Sequence, residues 1–138
     1  MMLYPLTGSA VTWSEVESAL QTSGSYSGDG VTAVCGDDSI EISGGTVDTL
    51  WLVSTKFPSV KTYRITDVMV SGPHGEASVD IWAEQDMTVF LNKVNSDGGG
   101  SEMTAGNGSL KVYYDGVYQG DNTSYLSVHA SNGNTPDI

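Results

Sequence analysis

The chain has 138 residues, of which 17 are Asp or Glu and 5 are Lys or Arg, giving a formal net charge of −12 at neutral pH. This charge repels phosphate backbones and anionic lipids, and it excludes nucleic acid and membranes from the expected partners. An acidic surface instead favours solubility, cation binding or contact with a basic protein. The length corresponds to one domain that needs no disulfide, and the single cysteine, Cys35, can form none within the chain.

Residues 1–30 contain the pattern of one short helix. Thr12 and Glu15 have the spacing of a capping box, in which a hydroxyl caps the helix and a glutamate follows three residues later. Gly24 is suited to end the helix in a left-handed conformation. The pattern predicts a helix over about residues 13–21. Its apolar face consists of Trp13, Val16, Ala19 and Leu20.

The segment Ser23–Gly30 is rich in Ser and Gly, which is typical of a flexible connector. We therefore expect two parts, an N-terminal attachment segment at 1–30 and a β-domain at 31–138. A helix this short is marginal alone, so its apolar face must pack on something. The flexible connector favours a partner protein, and packing on the chain's own β-domain is the alternative.

The sequence indicates neither an export signal nor a membrane span. Met1–Leu6 carries no basic segment and no long apolar run, so no signal peptide is expected. No stretch approaches the ~18 apolar residues of a membrane-spanning helix. We therefore expect synthesis in the cytoplasm.

Short apolar-alternating runs dominate the chain from Gly28 onward, and Gly, Ser, Asn and Asp interrupt them at intervals of about 8–12 residues. This rhythm predicts an all-β fold, and we expect an antiparallel β-sandwich, jelly-roll-like or Ig-like, of about eight strands. No repeat of about 20–50 residues is visible, which argues against a solenoid or a propeller.

Two strands of this part are distinctive. Val47–Thr55 contains the run Leu-Trp-Leu-Val, which predicts a central strand buried on both faces, with Trp51 or its neighbours in the core. Ala77–Ala83 alternates, so Val79 and Ile81 are expected to point inward while Asp80 and Trp82 point outward.

Two connections between strands are also predicted. Residues 95–108 are poor in apolar side chains and predict a mobile, exposed loop. Asp115-Gly116 lies between two alternating runs, which is typical of a hairpin with a type I′ turn.

Catalytic and metal-binding constellations are not evident. The acids Glu76, Asp80, Glu84 and Asp86 lie on or beside one strand, but with 17 acids in the chain such spacing arises by chance. The two histidines, His74 and His129, are distant in sequence and form no metal-ligand pattern, and the oxygen-rich loops lack a complete calcium ligand set. No serine-hydrolase motif occurs. We expect no enzyme activity, no cofactor and no metal.

Aromatic side chains are the remaining candidates for ligand binding. Trp82, Tyr113 and Tyr118 are expected on strand positions from which exposed rings could stack on a ligand. The competing interpretation is cross-strand aromatic packing, which is a general device of β-sheets.

The combined pattern favours a non-enzymatic structural or assembly protein. An acidic, Gly- and Ser-rich β-domain with a separate helical segment is similar in composition to accessory virion proteins of tailed phages, such as head-decoration, fibre or tail components. On this hypothesis the partners are capsid or tail subunits or copies of the same chain, the assembly is a homo-oligomer, and the location is the virion. The alternative is a carbohydrate-binding module that uses exposed Trp and Tyr.

Overall fold

A computed structural model describes residues 10–71, 77–96, 100–121 and 126–128; His74 and His129 lie outside these ranges. The described part of the chain is mostly β with one short helix, as predicted. The elements are helix α1 (Trp13–Thr22), a 3-10 turn (Ser54–Lys56), and strands β1 (Ser25–Gly28), β2 (Val31–Cys35), β3 (Ser39–Ser43), β4 (Thr46–Val47), β5 (Leu50–Val53), β6 (Thr62–Val70), β7 (Ala77–Ala83), β8 (Met87–Ser96), β9 (Gly100–Ala105), β10 (Leu110–Tyr114), β11 (Val117–Asp121) and β12 (Leu126–Val128).

The described strands form two sheets that enclose one hydrophobic core. Sheet A has the order β1-β2-β3-β6-β8-β10-β11, with β4 also paired to β6, and sheet B has the order β12-β9-β7-β5. Strands β3 and β4 both pair with β6 in sheet A, and from β4 to β10 the chain passes alternately through sheet A and sheet B. Each passage through both sheets is one coil, and successive coils lie side by side.

Strands of neighbouring coils pair in parallel, which corrects the predicted antiparallel sandwich. Ile40, Tyr63, Val89 and Val112 occupy equivalent positions on β3, β6, β8 and β10. In sheet B, β5, β7 and β9 pair in parallel as well. This is the connectivity of a short parallel coil, a solenoid, although the sequence shows no repeat. Among the described pairs, antiparallel pairing is confined to the ends of the coil stack.

Three successive coils bend at residues in the left-handed backbone region. Asp67 in β6 has φ 55° and Lys93 in β8 has φ 54°, and the two occupy equivalent positions because the residues flanking them pair across the strands. In the first coil Gly44-Gly45 takes this place, with φ 80° and 66°. The residue at the bend interrupts the in–out alternation of the strand by one position. In β6 and β8, side chains at odd positions before the bend and at even positions after it therefore both face the core. In β6 these are Tyr63, Ile65, Val68 and Val70.

Two predicted connections have different outcomes. The hairpin is confirmed: Asp115 and Gly116 have φ 49° and 82°, and Tyr114 pairs with Val117 across them. The mobile loop is wrong for Gly100–Ala105, which forms β9 with Met103 buried. Polar composition hid this strand, because only one face of β9 contacts the core.

Helix α1 forms as predicted, but its apolar face is not free. The Thr12 hydroxyl accepts a hydrogen bond from the Glu15 amide at 3.3 Å and caps the helix. Trp13, Val16 and Leu20 are at most 4% exposed and belong to the same core cluster as both sheets, while Ala19 is partly exposed. The prediction that this apolar face binds a partner protein is therefore wrong, because the face packs on the chain's own core.

The predicted flexible connector is also structured. Ser25–Gly28 forms β1 and pairs with β2. The start of the helix is also tied to the rest of the chain, because the Trp13 amide donates to the Asp48 carboxylate at 2.7 Å. Core residues thus lie on both sides of the expected boundary at residue 30, and the packing gives no basis for a separate attachment segment.

Candidate functional site

Strand β5 has one buried and one exposed face, which corrects the expectation that both are buried. Leu50 and Leu52 are at most 1% exposed, whereas Trp51 between them is 49% exposed. Strict alternation therefore holds in this apolar run. As a result, a large indole ring lies on the outer surface of sheet B.

A concave surface of about 370 Å³ lies on this outer side of sheet B. We call it the sheet-B face. The residues that line it are Trp51, Val53, Thr55, Asp80, Trp82 and Glu84. Trp82 is 41% exposed, as its position in the alternating strand β7 predicted.

Parallel register brings the lining side chains together. Trp51 pairs with Asp80 and Val53 with Trp82 across β5 and β7. Asp80 in turn pairs with Glu102 on β9. The sheet-B face therefore carries two tryptophans and several carboxylates at adjacent strand positions.

Glu84 is fixed by two short hydrogen bonds. The Trp82 indole Nε1 donates to Oε1 at 2.6 Å, and the Asn107 side-chain Nδ2 donates to Oε2 at 2.6 Å. These bonds hold the pKa of the Glu84 carboxyl below its ordinary value, with the bond from Trp82 as the largest cause. The same bond orients the Trp82 ring on the sheet.

The turn that carries Glu84 is held from the core side. The Ser54 hydroxyl, which is fully buried, accepts hydrogen bonds from the backbone amides of Glu84 at 2.8 Å and Gln85 at 3.3 Å. These hydrogen bonds explain why the polar side chain of Ser54 is buried among apolar neighbours: its hydroxyl satisfies two backbone amides just after β7.

Asp80 has a different environment from Glu84. Burial and then the neighbouring charge of Glu102 raise the pKa of the Asp80 carboxyl. Within the described part of the chain, the Asp80 carboxylate accepts no hydrogen bond. Two carboxylates on one surface thus have pKa values shifted in opposite directions.

The other predicted ligand-stacking residues lie on sheet A. Tyr113 stacks on Phe90 with ring centroids 5.0 Å apart and an interplanar angle of 13°, and the Arg64 guanidinium lies 4.4 Å from the Phe90 centroid. This is cross-strand aromatic packing combined with a cation–π contact. Tyr118 pairs with Tyr113 through the backbone, and its side chain lies outside the described residues. Trp82 and Tyr113 therefore do not form one site.

The sequence predicted Trp51 or its neighbours in the core and treated Asp80 and Glu84 as a chance grouping of acids, so the relation of these three residues on one face was missed. The position of Trp51 between two leucines would have indicated an outward ring if alternation had been applied to β5. The Asp80–Glu102 pairing depends on strand register, which the sequence does not display.

Three further findings concern metal binding, membrane spanning and similarity to known proteins. Among the described residues, no group of three His, Cys, Asp or Glu side chains is arranged to hold a metal ion. None of the described helices has the length and apolarity needed to cross a membrane. Comparison with protein-family models, curated proteins and solved structures finds no match for this chain.

Proposed function

We propose that the protein is a non-enzymatic binding protein that recognises a saccharide on the sheet-B face. The observation that carries this proposal is the pair of exposed indoles, Trp51 and Trp82, on one concave surface beside Asp80 and Glu84. A sugar ring has an apolar C–H face that stacks on an indole and a rim of hydroxyls that donate to carboxylates. Binding sites typically combine such apolar walls with a few oriented polar groups.

Two side chains of the sheet-B face are already fixed before a ligand binds, which supports this proposal. The Trp82–Glu84–Asn107 hydrogen bonds fix one ring and one carboxylate, and Ser54 fixes the turn behind them. Side chains already held in place lose little conformational freedom when a ligand binds.

Titration of the protein with a panel of neutral and charged oligosaccharides, followed by calorimetry and tryptophan fluorescence, tests the proposal. We expect at least one oligosaccharide to bind, and Trp51→Ala or Trp82→Ala to weaken it by about tenfold or more, since buried aromatic contacts dominate such interfaces. Phe90→Ala is the matched control, because it removes an aromatic ring from sheet A, and it should leave the affinity unchanged. Absence of binding across the panel, or an equal loss in the control, contradicts the proposal.

An assembly role in the virion of a tailed phage is the second candidate, as a head-decoration, fibre or tail component. The acidic, Gly-rich composition supports it, and so does a scaffold of stacked parallel coils that could project from a larger particle. A partner subunit would have to use a surface other than the buried side of α1. Measurement of the solution mass by light scattering tests the expected homo-oligomer, and a monomer at high concentration contradicts that part.

A further inference from the structure

We propose that the saccharide bound on the sheet-B face carries a positively charged amino group, and that Asp80 binds this group. The inference rests on the proposed saccharide binding and adds the chemical class of the sugar. Its basis is the position of Asp80, the distribution of charge over the two sheets, and the tryptophans that flank the carboxylate.

Asp80 lies at the centre of the sheet-B face. Its register partner on one side is Trp51 and on the other side is Glu102. The side chain is half-buried and lines the concave surface. A ligand group that reaches Asp80 is therefore also close to an indole ring and to a second carboxylate.

No described strand of sheet B contains a lysine or arginine. The five cationic side chains of the whole sequence are Lys56, Lys61, Arg64, Lys93 and Lys111. Three of these lie in strands of sheet A, Lys61 directly precedes β6 of that sheet, and neither Lys61 nor Lys56, in the turn after β5, lines the concave surface. The field over the sheet-B face is therefore negative, which repels uronic acids and other anionic sugars and attracts an ammonium.

The two carboxylates Asp80 and Glu84 are suited to different tasks. Glu84 already accepts hydrogen bonds from Trp82 and Asn107, and its main effect is to hold the Trp82 ring. The Asp80 carboxylate accepts none from the described residues and is available to an N–H donor of the ligand. An ammonium at this position gains a charge-assisted hydrogen bond and contacts with an indole face, the aromatic surface that attracts cations most strongly.

Two oligosaccharides of equal length test the inference: a β-1,4-linked glucosamine oligomer and its fully N-acetylated form. They share one backbone and differ in charge at each amino group. By calorimetry at low salt and at a pH where the amines are protonated, we expect the charged oligomer to bind about tenfold more tightly. The preference should shrink as salt is added, because ions screen partly exposed charges.

Asp80→Asn should abolish this preference while binding of the N-acetylated oligomer persists. Glu41→Gln is the matched control: it removes one negative charge from an exposed position on β3 in sheet A, and it should leave the preference unchanged.

The outcomes separate the two proposals. Equal binding of both oligomers overturns the amino-sugar inference and leaves saccharide binding intact. Failure of both oligomers and of every neutral sugar overturns saccharide binding as well. If methylammonium ion alone competes as effectively as the charged oligomer, the site recognises ammonium without a sugar, and the inference is wrong.

Discussion

The Tyr63 hydroxyl is buried in the core without a hydrogen-bond partner among the described residues. Burial raises the pKa of this phenol, and nearby Cys35 raises it further. A desolvated hydroxyl that makes no hydrogen bond opposes folding. Tyr114 offers a contrast within the same core, because its hydroxyl donates to the Val94 carbonyl at 2.7 Å.

Tyr63→Phe should therefore raise the free energy of unfolding by about 1 kcal/mol, since it removes a polar group that gains nothing in the folded state. Tyr114→Phe, the matched control, should lower it by about 1 kcal/mol, because the Val94 carbonyl loses its donor. Urea melts of both variants measure the effect. A loss of stability in Tyr63→Phe would show that its hydroxyl is bonded in solution.

The opposite pKa shifts of Asp80 and Glu84 predict opposite effects of pH on stability. The folded-state pKa of Asp80 is raised, so its ionised form opposes folding above that pKa, and the opposition fades as pH falls from the folded-state pKa to the lower pKa of the unfolded chain. Asp80→Asn should stabilise the protein at neutral pH by less than about 1 kcal/mol, because water screens this half-exposed group. The gain should vanish below about pH 3, where aspartate is itself neutral.

Glu84 provides the reverse case and the control. Its folded-state pKa is lowered, so its contribution is present above the unfolded pKa and is lost as pH falls through the folded value. Glu84→Gln should therefore lower stability at neutral pH and match the unsubstituted protein in acid. Chemical melts at several pH values test both variants, and shifts of the same sign in the two would contradict the assignment.

At the scale of elements, local patterns were predicted correctly and pairing was not. The helix and the Asp115-Gly116 hairpin are encoded by neighbouring residues, through a cap and a turn that need no distant partner. The parallel order of the strands is not encoded in this way, because alternation records which side of a strand is buried and not which strand lies beside it. The repeat was hidden because equivalent bends are occupied by Gly44-Gly45, Asp67 and Lys93.

In the candidate site too, features set by local pattern were predicted and features set by strand pairing were not. The outward position of Trp82 follows from alternation in a strand with polar residues, and it was predicted. The outward position of Trp51 was missed because a run of four apolar residues suggested burial on both faces. The contacts of Asp80 with residues on β5 and β9 depend on register between coils, which no single strand specifies.

The left-handed bend in β6 predicts a specific sensitivity to side-chain shape. Asp67→Val places a β-branched residue at φ 55°, where such residues are strongly disfavoured, and should cost about 1–3 kcal/mol of stability. Glu41→Val is the matched control, because it makes a similar change at an exposed strand position of sheet A and should be nearly neutral. Thermal and urea melts distinguish the two, and equal stability would show that β6 does not bend in solution.

At the scale of the molecule, the helix and both sheets share one core and should unfold together. Leu20 on α1 is 3% exposed, so Leu20→Ala should lower the free energy of unfolding by about 2–5 kcal/mol. Ser18→Ala, at an exposed position of the same helix, should change it little. A single urea transition is expected for every variant. An unchanged midpoint in Leu20→Ala would instead support the helix as a separate docking arm.

The coil stack also determines how this molecule can change in evolution. Duplication of one coil would insert a strand into each sheet and lengthen the stack by about 4.8 Å, while the antiparallel strands at the two ends stay as they are. Each insertion would add one row of outward side chains to both faces. The reach of a binding surface could therefore grow or shrink in fixed steps, through gain or loss of whole coils, with no redesign of the residues that close the ends.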